Sequence, residues 1–172
     1  MKKFFTLIVA TLMASSMMAQ MHGALTFAGA SSVNVQTQNT GNASDTIRFE
    51  MASMSAGNIT LPVMQGMAAI PSFTIENVAF SMGENHVISI AEQTFASKVT
   101  VNGEEKNIEG SSISGSYNMA DNSLTLKAVF KYGAMPFDLT YEVKAYYVKP
   151  VASAITVNVG GTFIYGNDGV TY

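Results

Sequence analysis

The chain has 172 residues, a formal net charge of −3, no cysteine, and charged residues at only 12% of its positions. The lack of cysteine excludes disulfides, thiolate chemistry, cysteine-ligated zinc and a lipid anchor on cysteine. The few Lys and Arg residues are scattered, so no basic patch is present to bind nucleic acid or an anionic membrane surface.

The first nineteen residues have the order of charge and hydrophobicity of a secretory signal peptide. Lys2 and Lys3 form a positive start, residues 4–14 form an uncharged apolar run, and Ala19 is a small residue before Gln20. The apolar run is too short for a stable transmembrane helix, and no stop-transfer pattern follows it. We therefore predict that residues 1–19 are removed. The mature chain, with no integral membrane segment, is then exported to the periplasm, the outer surface or the medium. An uncleaved N-terminal anchor is the alternative.

Alternation of apolar and polar residues predicts β-strands along the whole mature chain. In residues 46–51, for example, Ile47, Phe49 and Met51 share one side and polar residues occupy the other. Successive side chains of a strand leave opposite faces of the sheet, so this pattern is typical of half-buried strands. The predicted strands lie near residues 25–29, 32–38, 46–52, 58–63, 73–81, 86–95, 98–102, 105–118, 123–132, 137–148 and 155–165.

Turn-forming residues separate these segments. Asn102-Gly103 predicts a tight type I′ hairpin, because both residues accept positive φ angles. Between Ile75 and Val78 the apolar parity changes, which predicts a β-bulge near Asn77, or else two short strands with a bend. Residues 64–71 are the least strand-like stretch and are expected to be a loop or one helical turn.

Short, regularly spaced strands without intervening helices predict an antiparallel sandwich or barrel, and sequential hairpins favour an up-and-down meander. We therefore predict an all-β, antiparallel up-and-down barrel of about eight strands in residues 20–148. Residues 149–172 are expected to be a linker and a short C-terminal strand pair.

Several segments of the chain resemble the calycin-like β-barrel proteins that Bacteroidetes export. These are residues 45–51, 73–78, 114–126 and 130–137, together with the signal peptide and its following Gln. The resemblance extends over about residues 24–148, and it implies a lipocalin-like barrel of eight strands, generally without an assigned activity. The chain has no Trp, so it lacks the Gly-x-Trp signature of true lipocalins. Past Pro150 it resembles the start of an appendage found on some such proteins, or it ends in a last hairpin.

No residue pattern predicts a catalytic centre, and we expect the protein not to be an enzyme. There is no Gly-x-Ser-x-Gly elbow, phosphate loop or dinucleotide fingerprint. Glu76 and Glu142 are predicted to point outward, which argues against a carboxylate pair for hydrolysis. Asp45-Thr46-Ile47 resembles the short Asp-Thr-apolar acceptor of Bacteroidetes O-glycosylation.

No metal site or cofactor is expected either. His22 and His86 share no motif and are interpreted as solvated. The pairs 51/54 and 64/67 have Met-x-x-Met spacing, and thioethers can bind Cu(I). On a strand, however, residues i and i+3 face opposite sides, so these methionines are expected to fill gaps in the core.

The apolar side chains predicted to face inward would either fill the barrel or line a cavity for one small apolar ligand. They are Ile47, Phe49, Met51, Phe73, Ile75, Phe80, Val99, Val101, Leu124, Leu126, Phe130, Leu139, Tyr141 and Val143. The predicted ligand-cavity residues are Phe49, Met51, Phe73, Ile75, Phe80, Leu126, Phe130 and Tyr141. The hydroxyl of Tyr117 or Tyr141 would orient the ligand.

Two other functions stay open at the level of sequence. The first is a surface or matrix protein with a packed core that acts through its loops and sheet edges. The second is an enzyme with a site scattered over several loops. Ligand identity and oligomeric state have no signal in the sequence.

Overall fold

The computed structural model describes residues 24–65, 69–83 and 85–150. The predicted signal peptide and the predicted strand pair at 155–165 lie outside the described residues. The described chain forms nine strands. They are β1 (Leu25–Val35), β2 (Gln38–Met51), β3 (Ala56–Leu61), β4 (Phe73–Ala79), β5 (Ser81–Met82), β6 (Val87–Val101), β7 (Glu104–Asn118), β8 (Ser123–Tyr132) and β9 (Leu139–Tyr147).

The strands form one sheet in the order β4-β3-β2-β1-β9-β8-β7-β6-β5, and every pairing in it is antiparallel. Chain neighbours pair throughout, except at β4 and β5, and β9 pairs with β1. The sheet curls into a nearly closed barrel, which confirms the predicted all-β, up-and-down architecture. Eight strands are long, and β5 has only two residues.

Two pairs of predicted segments merge into single strands. Segment 25–29 and residues 32–35 of segment 32–38 form one strand, β1, with a register shift against β2 between Gly29 and Ser31, while residues 36 and 37 form the turn to β2. Segments 86–95 and 98–102 are likewise one strand, β6, with register shifts between Ile90 and Phe95. Neither predicted break ends a strand: along β1 the buried Phe27, Val33 and Val35 keep one parity, and in β6 the register shifts lie within the predicted segment 86–95. A bulge shifts the register locally without ending the strand.

The barrel interior is a continuous apolar core. All fourteen side chains predicted to face inward are buried, except Met51 and Val101, which are half-buried at the ends of β2 and β6. At the centre, the fully buried ring of Phe130 packs edge to face against Phe73, with ring centroids 5.4 Å apart. Burial of this many aliphatic and aromatic side chains supplies the stability of a chain that has no disulfide.

The least strand-like segment folds back on itself at one end of the barrel. Met64 and Ile70 exchange two backbone hydrogen bonds of 2.9 and 3.0 Å, and both side chains are buried in the core. This agrees with the loop interpretation in the part of the segment that the structure describes.

The two local predictions about turns and bulges are confirmed. Asn102 and Gly103 have φ angles of 52° and 84°, as the type I′ hairpin between β6 and β7 requires. In β4, Ile75 lies opposite Ile59 but Val78 lies opposite Gly57, so β4 has one extra residue here. Asn77 has a φ of 56° and forms the bulge.

Candidate functional site

The barrel has one seam, between β4 and β6. Among the described residues, β4 pairs only with β3, and no backbone ladder joins it to β6. The chain leaves β4 through Phe80 and enters β5, where Ser81 and Met82 pair with Ser89 and Ile88 at the start of β6. The seam is therefore closed by backbone pairing at one end only.

Side chains of β6 bridge the middle of the seam. The amide of Gln93 accepts a hydrogen bond from Ala79 N and donates one to Ala79 O, both at 2.9 Å. Further along, the Ser97 hydroxyl donates to the carbonyl oxygen of Thr74 at 2.7 Å. These contacts replace the missing ladder, since the Gln93 amide presents the same donor and acceptor as a peptide group.

Bulges on both strands explain why the ladder is missing. β4 bulges at Asn77, and β6 has an extra residue between Ile90 and Gln93 relative to β7. A bulge bends a strand and leaves a residue unpaired, so the two edges cannot stay in register with each other. Gln93 follows the bulge of β6 and is placed opposite the last residue of β4.

Beyond Ser97 the two strands diverge and leave a cleft of about 890 Å³, which we call the seam cleft. Its lining consists of residues 71–74 and 76 on the β4 side, 96–100 of β6 and 107–109 of β7. Phe73, Val99 and Ile108 in this lining are buried members of the core. Glu76 and Thr100 are exposed. The seam cleft thus combines an apolar floor with a polar rim.

The rim of the seam cleft carries excess negative charge. Glu76 and Glu109 are exposed, and among the described residues neither forms an ion pair. The rim also carries Lys98, whose ammonium is paired with Glu105 at 2.6 Å. Lys131 lies directly opposite Glu109 on β8 without forming an ion pair with it, so Glu76 is the carboxylate that an incoming cation meets first.

A small cavity, in contrast, lies inside the barrel among the described residues. Its volume is about 20 Å³, and it is lined by nine aliphatic and aromatic side chains. About one water fits into such a volume, whereas pockets for small organic ligands measure about 300 to 1,000 Å³. The lining residues are Phe27, Ile47, Phe49, Ile59, Ile88, Ile90, Tyr117, Leu124 and Leu126.

The eight predicted ligand-cavity residues are spread over the whole core. Phe49 and Leu126 line the interior cavity, and Phe73 contributes to the floor of the seam cleft. Ile75, Phe80, Phe130 and Tyr141 are buried among other core side chains, and Met51 is half-buried. The structure therefore does not gather the eight into one site. Their assignment as ligand contacts stays a prediction.

A buried polar cluster, which we call the Asp45 cluster, lies between β1, β2 and β9. The Asp45 carboxylate accepts hydrogen bonds from the Ser31 hydroxyl, the Asn42 amide and, at 3.1 Å, the Tyr141 hydroxyl. Burial, and then the adjacent Asp45 carboxylate, raise the pKa of Tyr141 well above its usual value. The Tyr141 hydroxyl is thus already hydrogen-bonded to Asp45 within the barrel. Thr46, the next residue after Asp45, is exposed on the outer face.

The remaining residues considered from sequence lie apart from one another. His86 is exposed in the turn before β6, and His22 lies outside the described residues. Met51 is half-buried while Met54 is exposed, and Met64 is buried in the core. The Tyr117 hydroxyl donates to the Asn122 side chain at 3.3 Å, and Tyr117 packs edge to face on Phe27.

Three further observations concern only the described residues. No three His, Asp or Glu side chains there come close enough together to hold a metal ion. No helix in this part of the chain has the length and hydropathy that crossing a bilayer requires. Glu76 and Glu142 both lie on the outer face, as their parity predicted.

Comparison with known proteins shows a relationship of fold. No family model and no curated protein matches the chain. Among solved structures, it is similar to a protein of Bacteroides fragilis described as a "putative outer membrane protein", with a TM-score of 0.56 and 20% sequence identity. The match covers 73% of this chain and 50% of the other, so this chain spans about half the length of that protein. At this identity the likeness shows that the fold is shared.

Proposed function

We propose that this chain is an exported, non-enzymatic binding protein that holds its partner in the seam cleft. One contrast carries the proposal: the interior cavity measures about 20 Å³, whereas the seam cleft measures about 890 Å³. Ligand sites are typically concave, with an apolar floor and a few polar groups at fixed positions. In this chain the seam cleft has that character.

The packed core suits this role because it holds the rim in place. Phe73, Val99 and Ile108 belong at once to the cleft floor and to the core. A binding site is most exact when its residues lie on rigid strands that are locked by packing beneath them. The proposal develops the surface-acting alternative of the sequence analysis, in which a packed barrel works through its sheet edges.

Export and family are parts of the same proposal. The signal-peptide pattern of residues 1–19 supports export, and a fold neighbour described as a "putative outer membrane protein" is consistent with a place in the cell envelope. The segments at 45–51, 73–78, 114–126 and 130–137 support a calycin-like relationship. The proposal assigns no catalytic step to any residue.

A small apolar ligand in the interior is the second candidate, and the apolar lining of the 20 Å³ cavity favours it. A ligand of ordinary size would require side chains such as Phe49 and Tyr117 to move apart. Native mass spectrometry of the protein from its own host distinguishes the two candidates. A constant small mass that leaves on denaturation would support the interior site, whereas a chain that carries a macromolecular partner, or one that has lost it, is expected if the seam cleft is the site.

Site-specific photo-crosslinking tests the seam cleft directly. Benzoylphenylalanine placed at Thr100, an exposed residue of the cleft rim, is expected to trap the partner in the host. The same residue at Thr46, which is exposed on β2 outside the cleft, is the matched control. Equal crosslinking from both positions, or none from Thr100, would contradict the proposal.

A further inference from the structure

We propose that the partner is an extended polypeptide segment with basic side chains, which adds as a strand to the open edges of β4 and β6. The inference rests on the proposed function and names the chemistry of its partner. A sheet edge binds such a segment through main-chain hydrogen bonds, and the neighbouring side chains select its sequence.

The edge of β4 points its backbone into the seam. Thr74 lies opposite Thr60 of β3, with the two side-chain hydroxyls 2.9 Å apart. The carbonyl of Thr74 is turned away from β3, because it accepts a hydrogen bond from Ser97 of β6. In an antiparallel sheet the N–H and C=O of one residue point to the same side, so the N–H of Thr74 also faces the seam.

The Gln93 bridge shows that the seam accepts peptide-like groups. Its primary amide pairs with both backbone atoms of Ala79, in the way that a peptide group of an added strand would. Past this bridge, towards the β6–β7 turn, the Ser97 contact is the one side-chain hydrogen bond between β4 and β6 in the described residues before the cleft opens. An added strand would enter at the wide end, displace the Ser97 hydroxyl from the Thr74 carbonyl and stop at Gln93.

Charge at the rim selects basic side chains. Glu76 lies on β4, next to an added strand, and Glu109 lies on β7, one strand beyond β6; both are exposed and line the cleft. Neither is ion-paired within the described residues. Lysines alternating with apolar residues would direct their ammonium groups to this rim and their apolar side chains to Phe73 and Val99.

Calorimetric titration of the purified full-length protein with defined peptides tests the inference. The probe is a capped seven-residue peptide of alternating valine and lysine, and its counterpart carries glutamate in place of lysine. Two further versions carry N-methyl groups on the valines or on the lysines, since a strand offers alternate N–H groups to each neighbouring edge. We expect the lysine peptide to bind, the glutamate peptide to bind at least about tenfold more weakly, and at least one methylated version to lose binding.

Protein variants locate the binding. Glu76→Gln and Glu109→Gln are each expected to weaken the lysine peptide about threefold, as loss of an exposed ion pair does. Glu92→Gln is the matched control, because Glu92 is exposed on β6 but does not line the cleft, and it should leave binding unchanged. All three changes lie on the surface, and circular dichroism verifies that each variant is folded.

Several results would overturn the inference. It fails if the lysine peptide does not bind, if both methylated versions bind as well as the parent, or if Glu92→Gln weakens binding as much as Glu76→Gln. If benzoylphenylalanine at Thr100 still crosslinks to a partner while the lysine peptide does not bind, the cleft is a binding site but its partner is not a basic strand. If both experiments fail, the proposed function itself is wrong.

Discussion

Replacing Tyr141 with phenylalanine tests how the Asp45 cluster is held in the barrel wall. Tyr141 is fully buried, and its hydroxyl donates to Asp45 Oδ2 at 3.1 Å. The substitution removes one of three donors from a buried carboxylate, while Ser31 and Asn42 still donate to it. Because hydrogen bonds to charged groups are the stronger ones, we expect Tyr141→Phe to lower the free energy of unfolding by about 2 kcal/mol at neutral pH.

The same substitution should change the dependence of stability on alkaline pH. The pKa of Tyr141 is raised in the folded protein, first by burial and then by Asp45, while the unfolded chain keeps a value of about 10. The contribution of neutral Tyr141 is therefore complete below about pH 10 and is lost as the pH rises towards the folded-state pKa. At about pH 11, ionisation of this tyrosine in the unfolded state costs the wild type about 1.4 kcal/mol, a loss that the variant does not share.

Urea unfolding followed by circular dichroism at both pH values measures this effect. The gap in unfolding free energy between wild type and Tyr141→Phe is expected to shrink from about 2 kcal/mol to below about 1 kcal/mol. Tyr146→Phe, at a surface position with 51% exposure, is the matched control and should show little gap at either pH. A gap for Tyr141→Phe that is equal at both pH values, or larger at the alkaline one, would refute the reasoning.

Three further substitutions test the barrel and its seam. Gly29→Ala should lower the free energy of unfolding, measured by urea titration, by about 1 to 3 kcal/mol, because the added Cβ would meet the backbone of β9. Gly41→Ala is the control: its Cβ makes only an ordinary contact at 3.8 Å, and the substitution should be nearly neutral. Phe130→Ala should lower the free energy of unfolding by about 3 to 5 kcal/mol, and Phe137→Ala, at a half-buried position, should lower it clearly less. Similar losses from the two substitutions would contradict the central place of Phe130 in the core. Gln93→Ala should speed amide exchange at the end of β4 more than elsewhere in the sheet, and uniform exchange rates would show that the bridge does not hold the seam.

Much of the fold could be predicted because its signals are local. The alternation in residues 123–132 and 137–148 reports directly which side chains face inward, and β8 and β9 follow it with little change. Asn102-Gly103 specifies its hairpin through the φ angles that these two residues accept. The parity change at Asn77 identified the bulge in β4 in the same way.

A parity change like that of β4 is also present in β6, but it lies inside the predicted segment 86–95, for which no bulge is predicted. Ile88 and Ile90 share one parity, while Phe95 and Val99 share the other. Treating both changes as bulges would have placed Gln93 next to an irregular edge. The sequence alone still offered no reason to bring that edge to β4, because pairing over such a distance depends on how the whole sheet curls.

The amino-acid sequence by itself determined the strands, their tight turns and the apolar face of each one, since these follow from side-chain alternation and backbone preferences within a few residues. The tertiary structure alone decided which side chains of the described residues surround the 20 Å³ cavity, that the barrel has its seam between β4 and β6, and that Glu76 and Glu109 line one cleft. Core filling and ligand lining use the same apolar residues, so only side-chain packing in three dimensions separates them. The seam likewise arises where two bulged edges meet after the sheet has closed, and that meeting has no counterpart in the local pattern of the chain.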